Sequence, residues 1–510
     1  MVSEATRQRI TQRLEDESGR IDKQAPLVVG LVYPSPYHVG MSSLGFQSVY
    51  RLFQSMPGVA CERAFLPDEG DAVAGERPVT YEGRRPLAEL PILAFSVAYE
   101  LELAGLMRML RASDIPVLRE ARTAQHPFIL AGGPLTFSNP LPLAPFVDAV
   151  VMGEAEGVLA YVIDTLQSAP SRERALAVLA EHPSVYVPAV HGSALARIAA
   201  CDDALLPAKS AIVTPHTELS NMFLIEAERG CSRGCTYCVM RRSTNGGMRI
   251  VPKETLLAAI PESAKRVGLV GAAVSDHPKI VEIVRALAER GLAVGLSSLR
   301  PDRLKDEFVE ALKFAGHKTL TTALDGPSER MRGIIERRGR EPHYVAAAER
   351  ARKYGMDRLK LYLMIGLPSE TDEDIDECVR FVGELTRIVP IALGIAPFCA
   401  KRNTPLDRMP FAGIKRVDAR LTRLRRGLRG RADVRSISAR WAWVEYVLAQ
   451  GGEAEGLAVW RALESGGGFA DYRREFAGLG HEPDGADYAA ARAPIAPERA
   501  RMRRKLEIVV

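Results

Sequence analysis

Six times between positions 223 and 397 a short apolar run ends on Gly, Ser, Asp or Pro and gives way to a helix-like stretch. The runs are Phe223 to Glu228, Arg266 to Val270, Leu292 to Ser298, Lys318 to Leu324, Arg358 to Ile365 and Ile391 to Pro397. Strands that alternate with helices in this way predict parallel pairing. Six repeats predict a partial β/α barrel, with the residues that end each strand gathered at one rim.

The N-terminal third has a similar rhythm. Leu27 to Tyr33, Ile92 to Val97, Phe128 to Ala131 and Val147 to Met152 read as buried strands. After the first, Val49, Leu52, Phe53 and Met56 share one helical face. The last two strands run into Gly132-Gly133-Pro134 and Gly153-Glu154-Ala155-Glu156. This predicts a doubly wound, Rossmann-like parallel sheet, in which ligands bind at the carboxyl ends of the strands. Glycines there allow a backbone to approach a ligand closely, and they serve equally well as plain turns.

Cys231, Cys235 and Cys238 stand in C-S-R-G-C-T-Y-C, a C-x3-C-x2-C spacing on the loop after the first barrel strand. Three thiolates this close can hold an iron–sulfur cluster by three corners and leave the fourth iron open. The alternative is structural zinc, which wants four Cys or His ligands, usually in two close pairs. No second pair exists: His216 and His277 are remote, and Cys61, Cys201, Cys378 and Cys399 are scattered singly. A disulfide framework does not suit seven cysteines in a 510-residue chain.

The bulk numbers set the class. A 47% hydrophobic chain can bury a sizeable core. Residues 1–24 are charged and polar, and the longest apolar stretch, Ile388 to Ala400, is broken by Pro390 and Pro397. A cytoplasmic protein with no membrane partner is expected. Net charge of +5 does not by itself argue for nucleic acid. Boundaries are drawn at 25–165 for the Rossmann-like domain, 166–218 for a connecting segment, 219–412 for the barrel and 413–510 for a basic helical C-terminal region.

The run E-A-E-R-G-C-S-R-G-C-T-Y-C resembles the cluster-binding loop of the radical S-adenosylmethionine (SAM) superfamily. K-L-Y-L-M-I-G-L-P-S-E-T (360–371) is similar to that family's late barrel strand, and A-P-F-C-A-K-R-N-T-P-L (396–406) to a segment closing the barrel in one subgroup. V-Y-P-S-P-Y-H-V-G-M-S-S-L-G (32–45), A-F-S-V-A-Y-E (94–100), A-G-G-P (131–134) and V-D-A-V-V-M-G-E-A-E (147–156) resemble the cobalamin-binding-type domain fused ahead of many such enzymes. The D-x-H-x-x-G pattern that gives cobalt a histidine in many of those domains is absent, although His38 lies near the region.

The resemblance implies a 4Fe-4S cluster on Cys231, Cys235 and Cys238, with SAM chelating the open iron. Reductive cleavage of SAM to a 5′-deoxyadenosyl radical is the implied chemistry, and a ferredoxin or flavodoxin the implied electron donor. It places Tyr237 against adenine, where simple loop packing is the alternative. Gly271-Ala272-Ala273 takes the place of a Gly-Gly-Glu that holds the SAM amino group, with the Glu missing. Ser297, Ser298 and Arg300 suit the SAM carboxylate, or a surface pairing with the next helix. Asp325 is assigned ribose hydroxyls, a substrate contact or a turn, and Gly366 and Pro368 the rim under adenine. Cys399 is a hydrogen-atom donor or a buried thiol.

Between positions 415 and 435 the chain is Arg-rich, with Leu421, Leu424 and Leu428 on one helical face. This reads as an amphipathic helix with a solvated basic face, or as a surface for RNA. Three functions follow: a radical SAM enzyme of unidentified substrate, a cobalamin-dependent radical SAM methyltransferase, and a non-catalytic iron–sulfur RNA-binding redox sensor.

Overall fold

The computed structural model describes residues 3–68, 76–241, 247–296 and 299–484. Its first layer is a six-stranded sheet built from β1 (Leu27–Tyr33), β2 (Val59–Phe65), β3 (Ile92–Ser96), β4 (Phe128–Gly132), β5 (Ala149–Val151) and β6 (Val185–Tyr186). The order is β2-β1-β3-β4-β5-β6, parallel except for β6. The order 2-1-3-4-5 is a doubly wound topology whose switch point lies between β1 and β3.

Strand β1 is buried along nearly its whole length because helices cover both faces of the sheet. On one face, Val29, Leu31, Phe46, Tyr50, Phe53 and Val162 form a core that also takes in Ile10 from the first helix, Glu4–Glu15. The sheet domain therefore reaches back beyond residue 25 and, through β6, forward into the segment read as a connector. The helix Leu44–Ser55 is rotated from the sequence expectation. Phe46, Tyr50 and Phe53 make its deepest face, while Val49, Leu52 and Met56 are only partly buried.

The second unit starts at β7 (Phe223–Glu226), followed by an antiparallel pair, β8 (Glu228–Gly230) with β9 (Met248–Ile250). Next come β10 (Arg266–Val270), β11 (Ala293–Leu296), β12 (Thr319–Asp325), β13 (Arg358–Ile365) and β14 (Ile391–Pro397). Two parallel sheets, β11-β10-β7 and one that begins β12-β13-β14, meet among the described residues at a bridge between Leu299 and Thr322. All six expected barrel strands form. A seventh, β15 (Asp433–Ser436), comes from the region read as helical and pairs in parallel with β14. On β13, buried Leu359, Leu361, Leu363 and Ile365 alternate with more open Lys360, Tyr362 and Met364, as a sheet covered by helices on one side requires.

The C-terminal helices Ala439–Gln450, Glu453–Glu464 and Phe469–Ala477 fold back onto the first domain. Asn139, fully buried, donates from Nδ2 to the carbonyls of Leu448, Ala449 and Gly451, which carry the end of the first of these helices. Gly456 lies so close to the Pro142 carbonyl that a Cβ would stand 2.2 Å from its oxygen. Among the described residues, no helix is long and apolar enough to cross a membrane.

Candidate functional site

The cysteine loop leaves β8 at Gly230 and is held from four directions. The Thr236 amide donates to the Ile335 carbonyl (3.1 Å), and the Leu406 amide donates to the Thr236 carbonyl (3.2 Å). The Tyr237 hydroxyl donates to Asp325 Oδ2 at 2.7 Å. Arg233 donates from Nε to Asp276 Oδ2 at 3.1 Å. All three cysteines are free thiols. Burial pushes the Cys231 thiol up and Cys238 up to about 11, and neighbouring cysteines add to both. Crowded, half-buried thiols that resist ionisation in one another's company are what a positive iron centre relieves, since a metal ion's charge inverts this local preference. The donor set thus fits a thiolate-held cluster.

Tyr237 packs in a small apolar cluster with Met364, Leu367, Phe398 and Leu406. This brings the cysteine loop against the Gly366 rim and the 396–406 segment. Gly366 adopts φ +79°, a left-handed turn that favours glycine, and its amide donates to Glu370 Oε1 (2.9 Å). Glu370 is in turn paired with Arg420 of the Arg-rich helix Ile414–Gly427 (2.9 Å).

Asp325 has two partners within the protein, both on Oδ2. Its carboxylate takes the Tyr237 hydroxyl and pairs with Arg337 Nε at 2.7 Å. Arg300 likewise has partners: it donates to Asp276 Oδ1 at 2.7 Å and pairs with Asp302. Asp276 gathers Arg233, Arg300 and Arg303, so it braces the cysteine loop against the end of β11. The guanidinium assigned to the SAM carboxylate from sequence is therefore bound within the protein. Ser297 and Ser298 lie outside the described residues.

Gly271, Ala272 and Ala273 form a loop folded over Glu228. Glu228 is fully buried, and its Oε1 accepts the Ala273 amide at 2.6 Å. A Cβ at position 271 would stand 2.2 Å from that oxygen, so only glycine fits there. The other oxygen, Oε2, is buried with no hydrogen-bond partner among the described residues. Burial pushes this carboxyl up to about 7, against the pull of the Ala273 amide.

Above this loop a cavity of about 390 Å³ joins the two domains. On the sheet side, Leu31, Ser96, Gly132, Gly133 and Gly153 line it at the strand ends, with Val49, Leu52 and Phe53 from the helix alongside. On the barrel side the wall is Glu228, Arg229, Gly230, Gly271 and Ala272. The crevice at the sheet's switch point therefore opens onto the residue next to Cys231. No histidine lines it among the described residues. His38 sits apart, near Asp68 (3.8 Å).

Arg229 clamps the junction. Its guanidinium meets Glu226 (2.7 Å), Glu156 (2.8 Å) and Glu154 (3.2 Å), the last two from the loop after β5. Arg249 also pairs with Glu154. Glu154, Glu156 and Cys201 bring ligand-type atoms within 4.8 Å of one another. The two guanidinium groups already neutralise those carboxylates, so the cluster is an interdomain ion-pair network.

Glu228, Arg229, Asp276, Arg337 and the Glu370–Arg420 pair were not assigned roles from sequence. Glu228 and Arg229 stand inside the motif that was read; Arg337 has no local signal. Cys399 places its thiol 3.1 Å from the Ala442 carbonyl, and burial pushes it well above the usual thiol range, as for a structural cysteine.

Residues 45–188 match the family model described as radical SAM proteins, N-terminal, and residues 225–382 the one described as radical SAM superfamily. The chain is 31% identical over 291 residues to the uncharacterised protein MJ0966 of Methanocaldococcus jannaschii, covering 55% of this chain and 62% of that one. It is 28% identical over 211 residues to the ribosomal protein uS12 methylthiotransferase RimO of Geobacter sulfurreducens, covering 38% and 46%. The chain thus spans between about half and just under two thirds of these relatives' lengths. The structure resembles TsrM from Kitasatospora setae, a radical SAM methyltransferase with cobalamin and a [4Fe-4S] cluster bound. The TM-score is 0.52, with 14% identity over 74% of this chain and 76% of that one.

Proposed function

We propose, from the premise that this chain belongs to the radical SAM superfamily, that it is a cobalamin-using radical SAM enzyme that methylates an unidentified substrate. The observation that carries the reading is the shared cavity, whose wall runs from the sheet's strand ends to Gly230, Gly271 and Ala272. A ligand at the switch point and one at the cysteine loop would meet there without crossing solvent.

Cys231, Cys235 and Cys238 are the residues that would hold the cluster, and the strand ends from Ser96 to Gly153 those that would hold the corrinoid. When bound, the cluster supplies one electron for cleaving SAM, and cobalamin supplies a cobalt centre for methyl transfer. The chain's own part is to bind and orient. Tyr237, packed beside Met364 and Leu367, offers a ring face to adenine at the Gly366 turn. Gly271 and Ala272 bring backbone close to SAM. Leu31, Val49, Leu52 and Phe53 make the sheet side of the cavity apolar, which disfavours water there. Electrons come from a ferredoxin- or flavodoxin-type donor.

A second reading, hydrogen abstraction without cobalamin, is favoured by the absence of histidine from the cavity wall among the described residues. The RNA-binding sensor has less support. Leu421, Leu424 and Leu428 of the Arg-rich segment are buried, while Arg420 and Arg423 pair with Glu370 and Asp376.

The test is anaerobic reconstitution with iron and sulfide, with cobalamin supplied, followed by cobalt analysis and chromatography of SAM products under reductant. Retained cobalt with S-adenosylhomocysteine formation supports methyl transfer. Protein that retains no cobalt and yields only 5′-deoxyadenosine selects the second reading.

A further inference from the structure

Glu228 presents an acceptor that the protein leaves unanswered. Its side chain is fully buried, and Oε1 is used by the Ala273 amide. Oε2 has no partner among the described residues, although the residue forms part of the wall of the interdomain cavity. A buried carboxylate oxygen without a donor costs free energy, and such groups in native proteins have a reason. Among the described residues the surroundings supply no donor to it. Arg229, next in sequence, is turned to Glu154, Glu156 and Glu226. Glu226 and Asp276 add only like charge. Position 271 is held to glycine by the carboxylate itself, so the loop is shaped around Glu228.

We propose that Glu228 Oε2 is the acceptor for an N–H donor group of the ligand that enters this cavity. The inference rests on the reading of the site given above. Two ligands of that reading bring such a donor: SAM through its ammonium, and a corrinoid through its peripheral carboxamides. The chemistry they share is an N–H pointing at a buried carboxylate, which is stronger than a neutral hydrogen bond.

The variant is Glu228→Gln, which keeps the shape and one carbonyl oxygen for the Ala273 amide but puts an N–H where the ligand donor arrives. Dissociation constants are measured on cluster-loaded protein by calorimetry for SAM and by corrin absorbance for cobalamin. Thermal melting of the unliganded forms is measured beside them. Weakening of about 10- to 100-fold is expected for one ligand, with the other unchanged. A loss confined to SAM assigns the ammonium, and a loss confined to cobalamin assigns a carboxamide. The unliganded variant should melt close to wild type, because glutamine keeps the side-chain shape and the acceptor for the Ala273 amide. If wild type binds its ligands and the variant binds both equally well, a water satisfies Oε2 and the proposal is overturned alone. If wild type binds neither ligand, both this proposal and the underlying function fall.

Discussion

The hydroxyl of Tyr237 donates to Asp325 at 2.7 Å, joining the cysteine loop to the carboxyl end of β12 across 88 residues of sequence. Asp325 adopts φ +61°, an unusual conformation for a residue other than glycine, so this carboxylate is aimed by strained backbone. Arg337 completes the set. Burial pushes the Asp325 carboxyl up, while Arg337 and the tyrosine hydroxyl pull it down.

Tyr237→Phe keeps the ring and deletes one hydrogen bond, leaving Asp325 with Arg337. A loss of about 1–2 kcal/mol in stability is expected, with little change in SAM affinity. Asp325→Ala strands the Arg337 guanidinium and should cost about 3–5 kcal/mol. Denaturant melts of both variants check the order. Equal losses would mean that the aspartate acts only through the tyrosine.

Replacing any one of Cys231, Cys235 or Cys238 with Ala should abolish cluster retention, because three thiolates are the whole protein ligand set of this loop. Cys201→Ser and Cys378→Ser should reconstitute to the wild-type iron content: Cys201 belongs to the Glu154 network, and Cys378 is buried in the core. Iron and sulfide assays with the visible absorption band decide it. A cluster that survives Cys235→Ala would mean that the loop is not its seat.

Much of this was readable beforehand, because periodicity survives burial. The six barrel strands and the strands β1, β3, β4 and β5 all announce themselves as apolar runs closed by Gly, Ser, Asp or Pro. Strand β15 does not: D-V-R-S is four residues long and half charged, and it becomes a strand only because β14 offers an edge. The helix Leu44–Ser55 misled through its apolar excess, since Val49 and Leu52 line a cavity while Phe46 and Tyr50 take the deep face. The partners of Asp325 and Arg300 were out of reach for a different reason. An ion pair depends on where two distant strands end, and sequence spacing does not encode that distance.

The Arg229 clamp predicts how the two domains part. Arg229→Met leaves Glu154, Glu156 and Glu226 facing one another without their shared guanidinium, and about 3–5 kcal/mol of stability should be lost. Limited proteolysis should then cut the junction faster than in wild type. Acid should reveal the same network. Burial pushes Glu154 up, but hydrogen bonds from Arg249 and Cys201 and the charge of Arg229 outweigh it, so its carboxyl sits below the ordinary 4.5. A lowered carboxyl stabilises the fold above 4.5 and gives up that stability as pH falls towards its own folded value. Glu154→Gln should therefore show a shallower loss of stability below pH 4.5 than wild type. Parallel slopes would take Glu154 out of the account.

The pair Glu370–Arg420 tests what the Arg-rich helix is for. Arg420 donates from Nη1 to the Glu370 carboxylate (2.9 Å) and from Nη2 to its carbonyl (2.6 Å), and the carboxylate holds the amides of Gly366 and Leu367. Removing the arginine leaves a buried carboxylate beside the Gly366 turn, which the proposed function sets against adenine. Arg420→Met should lower stability by about 3–5 kcal/mol and weaken SAM binding through the loosened turn. Arg423, paired with Asp376 at 2.6 Å on the exposed side, should leave stability close to wild type when changed to Met, because a solvated ion pair contributes little. Nucleic acid makes a contrary forecast: both changes would reduce salt-sensitive RNA affinity by similar factors, since each removes one phosphate contact. Stability melts, SAM calorimetry and RNA titration at two salt concentrations separate these outcomes. If Arg420→Met and Arg423→Met lose RNA affinity alike and leave SAM binding untouched, the helix faces a polyanion rather than bracing the Gly366 turn.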